Sequence, residues 1–446
     1  MPRLFGTNGV RGVTNDGMTV DLALNLGRAI GTHFDGDVAI GTDTRTSNEM
    51  LKQAVVAGVT STGCDVYDAG LVPSPVLQYY VRQHDLAAGV IITASHNPPE
   101  FNGIKVVAGD GTELDAATEE QIEDIYFSEG WRSSAWHDVG VVQSVAAIGG
   151  YLEGVAAMVD VAAIAERQFT VVADCGNGAG CVAYPYMLRQ LGCRVVTLNA
   201  QPDGTFPGRN AEPVEENLGE LVSLMKNSNA DLGVAYDGDA DRAIFVDEAG
   251  CYVSGDKTLA VTAAHAVEQA GGTVVTPVST SSCVADLVEA KGGTVRYTKV
   301  GSPIVARRMI ETDATFGGEE NGGLIFPGHQ YCRDGGMATA ALLEIMALRD
   351  MPLSALAGEV PDYALVKTKV DCASKRKREI MQAFIDGEEH EVDTTDGAKI
   401  VFDDAWVLVR PSGTEPIIRV YVEATEQQRA EELADRYKDR VAGLVG

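Results

Sequence analysis

The apolar residues of the chain fall into short β-branched runs that alternate with longer stretches in which apolar positions recur at helical spacing. Three segments share this arrangement, and they begin at residues 38, 171 and 274. Each contains an apolar strand, a polar turn rich in Gly, Ser, Thr and Asp, a helical stretch, a glycine stop and a second strand. This order is typical of a parallel sheet, so the pattern predicts three related α/β domains.

The pattern changes beyond about residue 365, where apolar and polar positions alternate along strands such as "ALVKTKVDC". A charged helical stretch follows from about 425 to 443, and together these segments predict a small α+β domain. We therefore predict an α/β chain of three related domains with mixed, mainly parallel sheets, followed by a C-terminal α+β domain. The predicted limits are 1–150, 151–255, 256–362 and 363–446.

The composition is that of a globular protein with a strong excess of acidic residues. Of the 446 residues 45% are apolar, and 35 Lys and Arg stand against 64 Asp and Glu, for a net charge of −29. Such a field repels nucleic acid and anionic membranes, so any anionic substrate must be held by local cations. We expect neither nucleic acid nor a membrane among the partners.

The cysteines and the apolar runs indicate the cellular setting. The eight cysteines include no C-x-x-C pair, so the sequence indicates neither a zinc site nor a disulfide framework. The opening segment has no apolar secretory run, and no uncharged apolar stretch reaches the length of a membrane span. We therefore expect a cytoplasmic protein.

An acidic loop follows the apolar strand "LGVAY" and contains an aspartate triad, Asp237, Asp239 and Asp241. Carboxylates two residues apart in an extended loop fall on one side, where they repel each other unless a hard cation such as Mg²⁺ lies between them. An EF-hand is disfavoured because Arg242 stands where its sharp turn requires glycine, whereas a solvated acidic turn stays open as an alternative. Arg242 could balance these charges or bind a phosphate oxygen bidentately.

Two further loops carry polar side chains suited to an anion and to hydroxyl groups. The Arg410 loop (407–420) contains Arg410, Ser412, Gly413, Thr414 and Arg419 around a tight turn. Its backbone N–H groups and arginines predict a phosphate site, although an ordinary Pro-Ser-Gly turn is the alternative. The Glu319 loop (315–329) places Glu319 and Asn321 between glycines, where they could bind vicinal hydroxyls or merely form an exposed hairpin.

A serine and a histidine follow the buried strand "GVIITA" as Ser95 and His96. A hydrolase elbow would require G-x-S-x-G, which is absent, and adjacent side chains point in different directions, so His96 is poorly placed as a base for Ser95. From local sequence alone, Ser95 could be a capping or turn residue.

Taken together, "TASHNP", "DGDADR", "GEENGG" and "RPSGTEP", in this order, with "FGTNGVRG" near the start, resemble the α-D-phosphohexomutase superfamily. Within it the chain is most similar to archaeal phosphoglucosamine mutases, which share the form of the opening segment, "GEENGG" and "VDTTDGAKI". The resemblance covers essentially the whole chain.

The resemblance implies a role for each loop. Ser95 is expected to be a phosphoserine in the active enzyme, with Mg²⁺ held between it and the aspartate triad. Arg11, His96 and Lys105 match positions that line the reaction centre, with Lys105 a candidate general acid or base. The Arg410 loop is expected to hold the phosphate that is not reacting. A hexose 1,6-bisphosphate is the expected intermediate and activator, and Mg²⁺ neutralises charge during phosphoryl transfer.

The expected reaction interconverts glucosamine 6-phosphate and glucosamine 1-phosphate. The alternative within the family is a phosphomannomutase/phosphoglucomutase, because Ser302 stands where one branch often has histidine and the phosphoglucosamine mutases often have aspartate. A Mg²⁺-dependent sugar-phosphate phosphatase and a non-enzymatic sensor are further alternatives, and the intact Ser95 and Lys105 argue against the sensor. The expected substrate is a phosphorylated hexose or hexosamine, and a monomer and a homodimer are both open.

Overall fold

A computed structural model describes residues 4–6, 8–413 and 415–446. Its first sheet has seven strands in the order β2-β1-β6-β5-β3-β4-β7, with β5, β3, β4 and β7 parallel. The elements are β1 (Val10–Thr14), β2 (Gly17–Met18), α1 (Val20–Phe34), β3 (Val38–Thr42), α2 (Asn48–Ser61), β4 (Val66–Leu71), α3 (Ser74–Gln83), β5 (Ala88–Ile92), β6 (Phe101–Ala108), α4 (Ala116–Ser128) and β7 (Val142–Ser144). β3 and β5 are buried along their whole length, as central parallel strands require.

The second sheet has five strands in the order β12-β11-β10-β8-β9, and two helices connect it to the first. The elements are α5 (Ile148–Ala157), α6 (Val161–Arg167), β8 (Thr170–Asp174), α7 (Tyr184–Gln190), β9 (Arg194–Leu198), α8 (Gly219–Lys226), β10 (Leu232–Tyr236), β11 (Ala243–Val246) and β12 (Tyr252–Val253). β10 is parallel to β8 and antiparallel to β11, so the tight turn between β10 and β11 lies at the carboxyl end of a central strand. That turn carries the aspartate triad.

The third sheet repeats this plan with the order β14-β13-β15-β16-β17. Its elements are α9 (Gly255–Ala270), β13 (Thr273–Pro277), α10 (Ser282–Ala290), β14 (Thr294–Thr298), α11 (Ser302–Thr312), β15 (Phe316–Glu319), β16 (Gly323–Phe326), β17 (Gln330–Arg333), α12 (Gly335–Arg349) and α13 (Leu353–Gly358). β15 and β16 form an antiparallel hairpin. The tip of this hairpin is part of the Glu319 loop.

The fourth sheet is antiparallel throughout, in the order β18-β21-β20-β19. It comprises β18 (Ala364–Asp371), α14 (Lys377–Asp386), β19 (Ala398–Val401), β20 (Ala405–Pro411), β21 (Ile417–Ala424) and α15 (Gln427–Val445). The turn between β20 and β21 belongs to the Arg410 loop. The predicted fold class, three α/β units with mixed sheets followed by an α+β unit, is confirmed, and the predicted domain limits stay predictions.

The hydrophobic cores explain how these units hold together. One large cluster runs through the first three units and includes Tyr151, Tyr184 and Tyr236, whereas the fourth unit packs around its own cluster. A small cluster that includes Val278 and Trp406 joins the third unit to the fourth. Among the described helices, none is by itself long and apolar enough to cross a membrane. α5 and α6 pass that test only as a pair bent by 87°.

Candidate active site

Ser95 lies in a buried turn immediately after β5, and its side chain faces the aspartate triad. Its backbone adopts the left-handed conformation with φ at +52°, and its amide donates to Oγ1 of Thr93 at 2.8 Å. Oγ of Ser95 donates a 2.8 Å hydrogen bond to Oδ2 of Asp237. A Cβ at Gly238 would lie 2.4 Å from the carbonyl oxygen of Ser95, so only glycine allows the two loops to approach this closely.

Arg45, which the sequence analysis did not select, holds the Ser95 turn in place. Its buried guanidinium forms an ion pair with Asp43 at 3.1 Å. It also donates to the carbonyl oxygens of Ser95, Asn97, Pro98 and Phe101 at 2.6 to 2.8 Å. An arginine that satisfies four carbonyls of one loop fixes its backbone, because each broken bond would leave a buried polar group unpaired.

The aspartate triad has the geometry of a site for a divalent cation. One carboxylate oxygen from each residue lies within 4.8 Å of the others. Oδ1 of Asp239 and Oδ1 of Asp241 are buried and accept no hydrogen bond in the part of the chain that the structure describes. Buried anionic oxygens without partners are costly, and a hard cation with oxygen preference satisfies them. The residues present therefore fit a Mg²⁺ ion.

The charges within the triad are unequal. Burial and the neighbouring Asp241 and Asp239 raise the pKa of Asp237 to about 8. Burial acts in the same direction on Asp239, but the ammonium of Lys105 outweighs it and holds the pKa of Asp239 below its usual value. The triad therefore combines a carboxyl that resists ionisation with one that is firmly anionic, and a bound cation would favour the ionised form of both.

Lys105 reaches the triad from β6. Its buried Nζ lies 2.6 Å from Oδ2 of Asp239 and 3.3 Å from Oδ2 of Asp241. Burial alone would lower the pKa of Lys105, but these two carboxylates outweigh burial and raise it. The side chain is therefore an ammonium, which can donate a proton or neutralise charge and is a poor base in this state.

Arg242 adds positive charge near Ser95, and His96 contributes a neutral imidazole. Nε of Arg242 lies 3.9 Å from Oδ2 of Asp237 and 3.8 Å from Oδ1 of Asp241. Nδ1 of His96 lies 3.3 Å from Oγ of Ser95. The guanidinium of Arg242, together with burial and Arg11, lowers the pKa of His96 to about 2, so this imidazole is neutral. A position where cations accumulate beside a serine hydroxyl is suited to an anion.

Arg11 approaches the same turn from β1. Its Nη1 donates to Oδ1 of Asn97 at 2.8 Å and to the carbonyl of Ala94 at 3.3 Å. Burial lowers the pKa of Arg11, and the nearby Arg242 acts in the same direction. Arg11 therefore lies at the Ser95 turn, where it contacts the residues on either side of the Ser95–His96 pair.

Glu319 is buried, in contrast to the exposed acid of the alternative hairpin. Oε1 of Glu319 accepts the amide of Gly301 at 3.1 Å, and Oε2 accepts Nη1 of Arg333 at 3.2 Å. Burial raises the pKa of Glu319. Oδ1 of Asn321 accepts the amide of Gly323 at 3.1 Å, so Asn321 shapes the turn between β15 and β16.

Two charged residues that the sequence analysis missed border this loop. Nη2 of Arg333 lies 2.6 Å from Oδ2 of Asp241, so Arg333 contacts both the Glu319 loop and the triad. Oε2 of Glu113 accepts the hydroxyl of Ser302 at 2.5 Å. The only local signal for Arg333 is its place before Asp334-Gly335-Gly336, where a strand meets a helix.

The Arg410 loop pairs its two arginines across neighbouring strands. Arg410 and Arg419 are directly opposite in β20 and β21. Nε of Arg410 lies 3.0 Å from Oδ2 of Asp396, and Nη2 of Arg419 donates to Glu415 at 2.5 Å. Oγ of Ser412 accepts an amide of the turn, Gly413 is exposed, and Thr414 lies outside the described residues.

Asp396 connects the Arg410 loop to the rest of the site. Its Oδ2 also accepts the amide of Val300 at 3.2 Å, and the next residue, Gly301, contacts Glu319. The Arg410 loop is therefore connected to the Glu319 loop through Asp396 and residues 300–301. The structure brings Ser95, His96, Lys105, Arg242 and the triad into direct contact, and Arg11, Glu319 and the Arg410 loop border them.

Comparison with known proteins gives a consistent result along the chain. Residues 2–133, 149–250 and 254–363 match the phosphoglucomutase/phosphomannomutase alpha/beta/alpha domains I, II and III, and residues 365–440 match the C-terminal domain of the same family. These matches lie in chain order and together cover most of the sequence.

Among whole-length relatives, the chain is 46% identical to a phosphoglucomutase/phosphomannomutase from Thermococcus kodakarensis, with 97% of both sequences covered. It is 42% identical to a probable phosphoglucosamine mutase from Methanopyrus kandleri, covering 100% of this chain and 99% of that one. A phosphoglucosamine/phosphogalactosamine mutase from Sulfurisphaera tokodaii is 39% identical, with 99% and 100% covered.

Solved structures show the same architecture. A phosphoglucomutase/phosphomannomutase family protein from Burkholderia thailandensis superposes with a TM-score of 0.89 at 27% identity, covering 99% of this chain and 97% of that one. A putative phosphomannomutase from Thermus thermophilus gives 0.86 at 28% identity, with 99% of both covered.

Proposed function

The chain belongs to the phosphoglucomutase/phosphomannomutase family, and we propose that it interconverts glucosamine 6-phosphate and glucosamine 1-phosphate through a phosphoserine at Ser95 and a sugar 1,6-bisphosphate. Its relatives and domain matches identify it as a phosphohexomutase, an enzyme that moves a phosphoryl group within a sugar. The residues that perform this transfer, and the sugar that carries it, are the proposal.

The observation that carries the proposal is the contact between Ser95 and the aspartate triad. The hydroxyl of Ser95 donates a hydrogen bond to Asp237, and within the described part of the chain one buried oxygen each of Asp239 and Asp241 accepts no hydrogen bond. Mg²⁺ bound by these oxygens would neutralise charge on a phosphoryl group at Ser95. A water-exposed turn serine would need none of this surrounding charge.

The protein side chains around Ser95 have complementary roles in the transfer. When the phosphoryl group leaves Ser95 for a sugar hydroxyl, one P–O bond breaks at Oγ and one forms at the sugar oxygen. Overall, the sugar hydroxyl loses its proton and Oγ of Ser95 gains one, so that the serine hydroxyl is restored. Lys105, kept as an ammonium, is placed to neutralise charge or donate a proton there. Arg242 and Arg11 add positive charge, and neutral His96 lies within hydrogen-bonding distance of Oγ.

The Arg410 loop accounts for the second phosphate. Arg410 and Arg419 are directly opposite each other in β20 and β21, and the guanidinium of each is paired with a carboxylate that an incoming phosphate would replace. Ser412 and Gly413 lie in the same turn, and Thr414 is expected to join them. A bisphosphate that turns over between transfers would exchange its two phosphates between this loop and Ser95, and added bisphosphate would restore a lost phosphoserine.

The choice of an amino sugar is supported by a carboxylate next to Ser302. Oε2 of Glu113 accepts the hydroxyl of Ser302, so the first α/β unit supplies an acidic group at a position where related glucosamine enzymes often have an aspartate. Glu319 lies on the neighbouring loop. An ammonium at the 2-position of the sugar would form a charge-assisted contact with such a carboxylate, which a hydroxyl matches only weakly.

A phosphoglucomutase/phosphomannomutase is the second candidate, because the relative that is 46% identical carries that name. The discriminating experiment compares kcat/KM for glucosamine 1-phosphate, mannose 1-phosphate and glucose 1-phosphate with the phosphorylated enzyme. A ratio below one for glucosamine against either competitor would reject the glucosamine assignment. Release of inorganic phosphate without isomer formation would instead identify a phosphatase.

We propose that the reaction occurs in the cytoplasm.

A further inference from the structure

One buried arginine near the site has no part in the mechanism described above. Arg333, the last residue of β17, is only 6% exposed and its guanidinium contacts two loops. Nη2 lies 2.6 Å from Asp241, and Nη1 lies 3.2 Å from Glu319. A single planar group thus connects the proposed metal site to the loop proposed to hold the sugar.

The Glu319 loop leaves room for this side chain. A Cβ at Gly323 would lie 2.2 Å from Cδ of Arg333, so any larger residue at position 323 would displace the arginine. Oδ1 of Asn321 accepts the amide of Gly323 and holds the glycine in place. The turn therefore fixes the conformation of the Arg333 side chain, which is not free to change rotamer as a surface arginine would be.

The third nitrogen of the guanidinium, Nε, has no hydrogen-bond acceptor among the described residues. Nε of Arg333 is buried and forms no hydrogen bond with the residues that the structure describes. Leaving a buried donor unpaired is costly, so an acceptor is expected in the active enzyme. Phosphate oxygens, like carboxylates, accept short charge-assisted hydrogen bonds from a guanidinium.

Charge balance at the aspartate triad does not by itself account for Arg333. Lys105 already lies within ion-pair distance of both Asp239 and Asp241, and Arg242 is close to Asp241 on its other oxygen. An arginine that served only to neutralise the triad would therefore repeat the ion pairs that Lys105 and Arg242 already form. Its additional contact with Glu319 distinguishes it from these cations.

We propose that Arg333 is a further catalytic residue, whose Nε–H donates to an oxygen of the phosphoryl group during transfer while its outer nitrogens stay on Asp241 and Glu319. The inference rests on the proposed function. By holding both loops, the guanidinium would set the distance between the phosphoryl group and the sugar hydroxyl, and by donating to an oxygen it would stabilise charge that develops in the transition state.

The test uses Arg333→Lys and Arg333→Ala in the full chain, with Arg349→Gln as a control that removes the exposed ion pair to Glu359. For Arg333→Lys we expect kcat to fall about 100-fold with KM changed only a few-fold, because one directional donor is lost while the charge is kept. Guanidinium chloride at millimolar concentration should restore part of kcat in Arg333→Ala, and sodium chloride at equal ionic strength should not.

Two results would overturn the assignment. If kcat of Arg333→Lys stays within twofold of wild type, the arginine contributes nothing to transfer. If saturating Mg²⁺ alone restores the full kcat of Arg333→Ala, Arg333 acts only by supporting metal binding. If the wild-type protein itself has no mutase activity, the proposed function is rejected. If the wild type is active and Arg333→Lys is equally active, only the role of Arg333 is rejected.

Discussion

Oγ of Ser95 and Oδ2 of Asp237 lie 2.8 Å apart although 142 positions separate the two residues in the chain. Ser95 follows a central strand of the first sheet, and Asp237 follows a central strand of the second. The contact therefore depends on how two sheets pack against each other. It places a hydroxyl nucleophile beside a carboxylate cluster, and the first predictions follow from it.

Ser95→Ala should abolish both mutase activity and phosphorylation. Removing a nucleophile typically costs on the order of 10⁴-fold or more in kcat. Intact-mass measurement after incubation with a hexose 1,6-bisphosphate should show one added phosphoryl group in the wild type and none in the variant. Ser74→Ala is a matched control, because Ser74 also donates to the triad, at 2.6 Å from Asp239, and it should keep the phosphorylation. Appreciable turnover by Ser95→Ala would show that Ser95 is a turn residue.

Removal of Mg²⁺ should stop turnover and leave folding almost unchanged. Lys105 and Arg333 already compensate the triad carboxylates, so loss of a loop-bound ion leaves little uncompensated charge. Activity and the thermal unfolding midpoint should be measured together with and without chelator, followed by readdition of Mg²⁺. A fall of many degrees on chelation would point to a structural metal instead.

Glu113→Gln should reduce the preference for an amino sugar. The amide keeps a partner for Ser302 but removes the negative charge, so the contribution of a charge-assisted contact is lost. We expect the ratio of kcat/KM for glucosamine 1-phosphate over glucose 1-phosphate to fall about five- to tenfold. Glu220→Gln, at an exposed glutamate of α8, is the control for loss of one charge. An unchanged ratio would remove Glu113 from substrate selection.

Arg410→Ala should weaken substrate binding without preventing formation of the phosphoserine. The variant loses a charge-assisted contact of roughly 1.5 to 3 kcal/mol, which corresponds to about a ten- to hundredfold loss in kcat/KM. Steady-state kinetics and intact mass measure the two effects separately. If kcat/KM stays at the wild-type value, the Arg410 loop is not the phosphate site.

Asp256→Asn should stabilise the protein increasingly as the pH rises. Burial and the nearby Glu320 raise the pKa of Asp256 to about 7, so its folded form keeps a proton that the unfolded chain releases near pH 4. As the pH rises from about 4 to 7, the free energy of unfolding of the wild type therefore falls, because the unfolded chain releases this proton more readily than the folded protein. An asparagine can still accept the amide of Ser281 through Oδ1. Urea unfolding at pH 5 and 8 should show a larger gain for the variant at pH 8, and an equal gain at both would contradict the shifted pKa.

Much of the local structure could be predicted from the sequence. β-branched runs and glycine stops identify strands and turns, because the conformation of these segments depends mainly on residues that are close together in the sequence. The clustering of the aspartate triad was predicted for the same reason, because alternate residues of one extended loop lie on the same side. In the structure, one carboxylate oxygen from each of the three aspartates lies within 4.8 Å of the other two. The burial of Glu319 was not predictable, because a hairpin of glycines and acids looks the same whether it is covered or exposed.

Arg45, Glu113 and Arg333 were missed for a common reason. Each acts through contacts distant in sequence, such as the 50 positions between Arg45 and Ser95 or the 92 between Arg333 and Asp241. A single buried arginine produces no periodic pattern, and its burial becomes possible only when acceptors from several loops converge around it.

The sequence by itself determined the α/β units, the loops at their strand ends and the residue types that each loop offers, because these depend on local periodicity and turn chemistry. Only the tertiary structure decided that Ser95 faces Asp237, that Lys105 is held as an ammonium, and that Arg333 joins two loops. These relationships depend on the packing of whole sheets, where burial removes water and the distance between charges sets their strength.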